Sequence, residues 1–203
     1  MVTAGHVPNV VVLAGPNGAG KSTTGPALLR DTFGITEFVN ADTIAQGLSA
    51  FDPEGVAIDA ARVMLTRMHE LADEQADFAF ETTLSSRTFA PWLADLRKAG
   101  YQIHVLFLWL PSEDLAVERV AARVRMGGHD VPEDVVRRRY RSGLRNFLDL
   151  YRPLADSWLL YDNSHVTGPR LVAMGSGVQV TQLEDEARWQ QIQEESSDGS
   201  QDR

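Results

Sequence analysis

The stretch Gly15-Pro16-Asn17-Gly18-Ala19-Gly20-Lys21-Ser22 fits G-x-x-x-x-G-K-[ST], the phosphate-loop pattern. At average residue frequencies such a match arises by chance in roughly one chain in a hundred of this length, and its surroundings strengthen it. Val10-Val11-Val12-Leu13-Ala14, directly before it, is an apolar β-branched run that reads as a buried strand. A helix-like segment from Ser22 to Arg30 follows. Strand, glycine loop, helix is the setting in which the pattern works. The glycines let successive backbone N–H groups turn inward around phosphate oxygens, and the helix start adds its positive dipole end. Gly15, Pro16, Asn17, Gly18, Ala19, Gly20, Lys21, Ser22 and Thr23 are therefore candidate nucleotide-binding residues. Lys21 can reach the β- and γ-phosphates, and the Ser22 hydroxyl can ligate Mg²⁺. Lys21 and Lys98 are the only lysines. A planar guanidinium substitutes poorly for a compact ammonium in a tight loop.

The rest of the chain alternates. Strands are expected at Thr36–Asn40, Asp77–Glu81, Ile103–Leu110 and Trp158–Asn163, with two short ones near Leu171 and Val178. Helices are expected from Pro53 to Glu74, from Pro91 to Lys98, after Pro111-Ser112, from Glu133 to Leu150, and at the C-terminal end. This order predicts an α/β fold: a P-loop NTPase with a mainly parallel sheet sandwiched by helices. A chain of 203 residues, 43% hydrophobic, suits one domain over 1–195. The acidic end, 196–203, reads as a disordered tail. A chain with no cysteine has no disulfides and no thiolate zinc site. No apolar run approaches the roughly 20 residues of a membrane span, and a cytoplasmic protein is expected. The net charge of −9 opposes bulk nucleic-acid binding.

In open α/β sheets ligands bind beyond the carboxyl ends of the strands. Three of those ends carry polar groups: the phosphate loop, Asn40-Ala41-Asp42, and Glu81-Thr82-Thr83. Asp42 fits a base that takes or orients an acceptor hydroxyl's proton, and equally fits a helix N-cap. Glu81 fits acceptor binding or positioning of Mg²⁺ through water. Thr82 and Thr83 fit substrate contacts or the start of the next helix. Arg119 and Arg123 share a helix face before the Gly127-Gly128 break. Beyond it Val136, Tyr140, Leu144, Phe147 and Tyr151 form an apolar stripe flanked by Arg137 and Arg139, with Arg138, Arg141 and Arg145 opposite. Helix, glycine break and arginine-bearing helix suggest a lid over residues 119–145. Asn163 could read a purine base or form a turn.

These motifs in this order resemble the zeta-toxin-like P-loop kinases: the loop, Asn40-Ala41-Asp42, Phe80-Glu81-Thr82-Thr83, Arg119 to Arg123, Gly127 to Pro132, and Arg138-Arg139-Tyr140. The resemblance covers Val10 to about Ser164. It implies a nucleoside-monophosphate-kinase-like fold with a helical arginine lid. It also implies transfer of a phosphoryl group from ATP or GTP, with Mg²⁺, to the sugar 3′-hydroxyl of UDP-N-acetylglucosamine, and an antitoxin partner that occupies the nucleotide site. On this pattern Lys21 is the loop lysine, Asp42 the base and Glu81 the acceptor-binding glutamate. Arg123 and one of Arg137, Arg138 and Arg139 stabilise the transferred group, with Arg139 taken as the second. Other functions open to the same residues are a nucleotide-gated interaction module that hydrolyses NTP and a polynucleotide 5′-hydroxyl kinase.

Overall fold

A computed structural model of the chain describes residues 5–198. Its centre is β1 (Asn9–Ala14), in which Val10 to Ala14 have no exposed surface. An unbroken apolar run demands that a strand be covered on both faces. β1 pairs in parallel with β3 (Phe78–Thr82) on one side and β4 (Gln102–Trp109) on the other. β2 (Phe38–Val39) extends the sheet beyond β3, and β5 (Ser157–Asp162) extends it beyond β4, both in parallel. An antiparallel ribbon, β6 (Arg170–Ser176) and β7 (Gln179–Leu183), completes the order β2-β3-β1-β4-β5-β6-β7.

Alternation along β1 feeds two cores. Val10 and Val12 join Phe80, Phe107, Trp109, Phe147 and Trp158 on one face, while Val11 and Leu13 join Leu29, Leu108, Val120 and Val136 on the other. The first face is covered by α3 (Ala57–Asp73), α4 (Phe89–Lys98) and α8 (Glu186–Asp198). The second is covered by α1 (Lys21–Phe33) and α5 (Glu113–Arg125). α6 (Glu133–Asn146) serves both, placing Val136 and Tyr140 in one core and Leu144 in the other. The expected sandwich of helices around a mainly parallel sheet is the observed architecture.

Several boundaries differ from expectation. α1 continues to Phe33, where Gly34, at φ 66°, closes it by donating to Arg30 O. The expected strand at Thr36–Asn40 shrinks to two residues because Asn40 starts a helix that the sequence reading did not list, α2 (Ala41–Leu48). The expected long helix to Leu150 is α6 followed by a π-helical turn, Phe147–Tyr151, and the short α7 (Arg152–Leu154). α8 runs on to Asp198, so 196–198 of the expected disordered tail are helical, and 199–203 lie outside the described residues.

α6 crosses the turn after β3 at very short range. A Cβ on Gly143 would lie 2.3 Å from the Thr83 carbonyl oxygen. Nearby, Asn146 Nδ2 donates to Leu84 O at 2.8 Å and the Tyr151 hydroxyl donates to Ser86 O at 2.7 Å. Gly143→Ala must push this helix off the turn and is expected to lose about 1–3 kcal/mol, as overpacked sites do, read from denaturant unfolding.

Candidate active site

The phosphate loop joins β1 to α1 and depends on its glycines. Gly15 sits at φ 142°, and a Cβ there would lie 2.3 Å from Leu108 O. Gly20 sits at φ 80°, and a Cβ there would lie 2.7 Å from Asn163 Nδ2. Only glycine fits where backbone turns this way against backbone and a buried amide. Inside the loop Lys21 is buried, and its Nζ donates to Gly15 O at 2.9 Å and Pro16 O at 3.0 Å. Burial pulls this ammonium below the ordinary lysine range, while the carboxylates of Glu81 and Asp42 oppose the shift. A cavity of about 250 Å³ opens over the loop, lined by Asn17, Gly18 and Gly20 to Thr23 on one side. Asp42, Glu81, Arg119, Arg123 and Met126 line the other.

Parallel pairing brings the carboxylates in. Leu13 lies opposite Glu81 and Phe80 opposite Val39, so Glu81 and Asn40 end beside the loop. Glu81 Oε2 accepts from the Ser22 hydroxyl at 3.2 Å and from Asn40 Nδ2 at 2.5 Å, and Oε1 lies 3.5 Å from Lys21 Nζ. Glu81 thus faces the loop's own hydroxyl and ammonium. Asn40 caps α2: its Oδ1 accepts from the Thr43 amide at 3.0 Å. Asp42, one of two functions left open for it being the cap, is not the cap. It sits in the first turn of α2, where a carboxylate suits the helix dipole. Its carboxylate accepts no hydrogen bond among the described residues.

Thr82 and Thr83 do not line this cavity. Thr82 Oγ1 accepts from the Leu84 amide, and Thr83 Oγ1 lies 2.9 Å from Ser85 Oγ. Their hydroxyls fold the turn that carries Leu84 at φ 54°, the conformation α6 packs on.

The arginines divide by partner. Arg137 is held by Glu113, Asp114 and Glu133, and Arg141 by Glu113, so both tie α6 to the start of α5, away from the loop. Arg137 flanks the apolar stripe but turns to these three carboxylates and not to the loop. Arg138 is exposed on α6. Arg139 Nη1 comes within 3.4 Å of Asn17 Oδ1 in the phosphate loop. Arg123 lines the cavity; its Nη2 donates to His129 O at 2.7 Å, and its buried Nε has no hydrogen-bond partner among the described residues. Arg119 donates to Asn163 O at 2.8 Å and Ser164 O at 2.9 Å.

Asn163, left open between reading a base and forming a turn, is buried, and its Nδ2 donates to Ala19 O at 2.7 Å, so its amide supports the loop from behind. Sequence reasoning missed what fixes this turn. Asp162, with 2% of its side chain exposed, accepts from the Ser164 amide and lies 3.3 Å from Arg188 Nε on α8. Arg188 also stacks over Trp109 at 5.7 Å. Arg188→Met leaves that buried carboxylate short of its cation; among the described residues the other side chain set to pair with it is His165, at 3.6 Å. The expected loss is about 1–3 kcal/mol of stability, with a raised KM for ATP and an unchanged kcat, measured by unfolding and ATP titration.

A family model, AAA_33, described as an AAA domain, matches residues 10–147, from β1 into the π-helical turn. The chain belongs to the AAA_33 family. The AAA_33 stretch takes in the loop, Asp42, Glu81, Arg119, Arg123 and Arg139, and leaves out Asn163 and Arg188. AAA_33, and not the zeta-toxin family that the motif order resembles, is the family found. An uncharacterized protein of Haemophilus influenzae is 28% identical over 130 residues, 64% of this chain and 91% of that protein. A chain of the AvrRxo1-ORF1:-ORF2 complex solved with ATP superposes with TM-score 0.69 at 18% identity, over 93% of this chain and 64% of that one. This AAA_33 chain therefore spans less than two thirds of that AvrRxo1 chain. A chain of the PezAT chromosomal toxin–antitoxin system of Streptococcus pneumoniae superposes with TM-score 0.62 at 12% identity, over 98% of this chain and 88% of that one. The fold is that of P-loop kinases. No helix among the described residues is long and apolar enough to cross a membrane.

Proposed function

We propose that this protein is an ATP-dependent small-molecule kinase that transfers the γ-phosphoryl group to a hydroxyl, in a single domain whose α5–α6 hairpin is the lid. The observation that carries the reading is Asp42: a carboxylate on the wall of the phosphate-loop cavity, relieved of capping by Asn40. Asp42 accepts the acceptor hydroxyl's proton as that oxygen bonds to the γ-phosphorus and the bond to the β–γ bridging oxygen breaks. Lys21 leaves the Gly15 and Pro16 carbonyls for the phosphate oxygens. Arg123, with its unpaired Nε, and Arg139, beside Asn17, meet the charge on the moving group. Arg119 stays anchored to the turn after β5 and borders the triphosphate.

The Ser22 hydroxyl and the Glu81 carboxylate, 3.2 Å apart, form the hard-oxygen pair that suits Mg²⁺. No group of three or more His, Cys, Asp or Glu side chains able to hold a metal occurs among the described residues. Bound there, Mg²⁺ would neutralise charge on the β- and γ-oxygens. Glu81, bonded to Ser22 and Lys21, serves the nucleotide side more directly than the acceptor side expected for it. A nucleotide sugar such as UDP-N-acetylglucosamine is the leading acceptor, ATP or GTP the donor, and a small antitoxin protein over the loop the leading partner. The motif order supports each of these.

The test is mass-resolved phosphoryl transfer from ATP to UDP-N-acetylglucosamine and to a metabolite extract. A product heavier by one phosphoryl group is expected. ATP consumption with no phosphorylated metabolite overturns the kinase reading.

A further inference from the structure

On the far side of Asp42 lies a second, smaller chamber of about 110 Å³. Ala41, Ala45 and Gln46 of α2 form one wall, and Pro53 of the α2–α3 loop and Ala57, the first residue of α3, form another. His129, at the tip of the α5–α6 hairpin, closes the third side. Its Nδ1 lies 3.0 Å from Glu54 Oε1, which clasps the hairpin to the α2–α3 loop. Asp42 is common to this chamber and the loop cavity. A group that takes a proton from an acceptor while the donor phosphate waits beside it belongs on such a shared wall.

The two chambers differ in charge. Lys21, Arg119 and Arg123 all line the loop cavity, and neither lysine nor arginine lines the smaller one. There the lining is largely alanine and proline, with the carboxamide of Gln46 able to donate to and accept from hydroxyls. The volume is well below the roughly 300–1,000 Å³ of sites for drug-sized ligands. An anionic group entering it would meet the Asp42 carboxylate, with no lysine or arginine in the lining to offset the repulsion and with the one imidazole there, His129, already facing the Glu54 carboxylate.

We infer that this chamber is the acceptor subsite and that it selects a compact, uncharged hydroxyl-bearing group, of the polyol or monosaccharide class. The inference rests on the kinase reading with Asp42 as base. A larger acceptor enters by such a group alone and keeps its charged part outside the chamber. A free neutral sugar and a neutral ring at the end of a nucleotide sugar share this chemistry.

The test is a transfer assay with ATP and a panel of neutral monosaccharides and polyols, their singly phosphorylated or carboxylated counterparts, and nucleotide sugars bearing neutral rings. Neutral rings, free or nucleotide-linked, are expected to show kcat/KM at least tenfold above that of their anionic counterparts, and the two neutral arms tell the sources apart. Equal use of the anionic counterparts overturns the inference while leaving the kinase reading intact. The companion variant is Ala57→Phe, at an exposed position that fills the chamber. It is expected to raise the acceptor KM at least tenfold and leave the KM for ATP unchanged. An acceptor KM that does not move also overturns the subsite. ATP consumption with no phosphorylated acceptor of any kind overturns the kinase reading and the inference together.

Discussion

On the proposed kinase reading, Asp42→Asn is expected to lower kcat for phosphoryl transfer by about 10²–10⁴-fold, the range of a positioned general base, with the KM for ATP nearly unchanged. The amide is isosteric and still accepts hydrogen bonds, so what it removes is proton affinity and charge. Asn40, which caps α2 and holds Glu81, is untouched, so the local fold survives. Asp42 lies within electrostatic reach of Lys21 but touches neither the loop nor its glycines through any hydrogen bond among the described residues. Steady-state kinetics with a confirmed acceptor decide the matter: an unchanged kcat removes Asp42 from the base role.

Lys21→Met is expected to cut kcat/KM for ATP by about 10²–10³-fold, the loss seen when one preorganised electrostatic donor is removed. Methionine nearly matches the volume of the lysine stem, so the buried site stays filled. The charge is what disappears. In the unliganded loop that charge rests on the carbonyls of Gly15 and Pro16, with Glu81 3.5 Å away. Binding ATP exchanges two neutral acceptors for anionic ones. Isothermal titration with ATP and transfer kinetics measure both halves of the effect. Tight ATP binding by the variant would show that loop amides and arginines suffice.

The phosphate loop and the central strand were legible because their signals are local. Five apolar residues followed by a glycine pattern leave few backbone solutions, and Gly15 and Gly20 occupy conformations only glycine accepts against their neighbours. The division of labour between Asn40 and Asp42 was not legible. Both types cap helices well, they lie two residues apart, and only the dihedrals of Asn40 decide which does so. Which arginine of α6 would face the loop was not legible for a similar reason. Helical spacing places Arg137 and Arg139 on either flank of the apolar stripe, yet Glu113 and Asp114, more than 20 positions earlier in the chain, capture Arg137. Thr82 and Thr83 fitted substrate contacts or the start of the next helix, but the turn that follows claims both side chains, Thr82 through the Leu84 amide and Thr83 through Ser85. Asp162 and Arg188 carried no visible signal, since their pairing depends on α8 folding back over Trp109. A weak cue existed for Met126, which lines the cavity: it is a flexible thioether placed just before a glycine pair.

β1 has one further consequence, best stated in terms of hydrogen exchange. Its amides from Val10 to Ala14 lie in residues without exposed surface, between two parallel neighbours, so they exchange with solvent only when the whole domain unfolds. Met126 to Gly128, exposed at the hairpin tip, belong to the part that opens at low free energy. The phosphate loop therefore hangs from the most deeply buried strand, and the hairpin tip over it is an exposed turn. For a kinase of the kind proposed, the hairpin can open to release product without loosening the loop that would hold the next nucleotide.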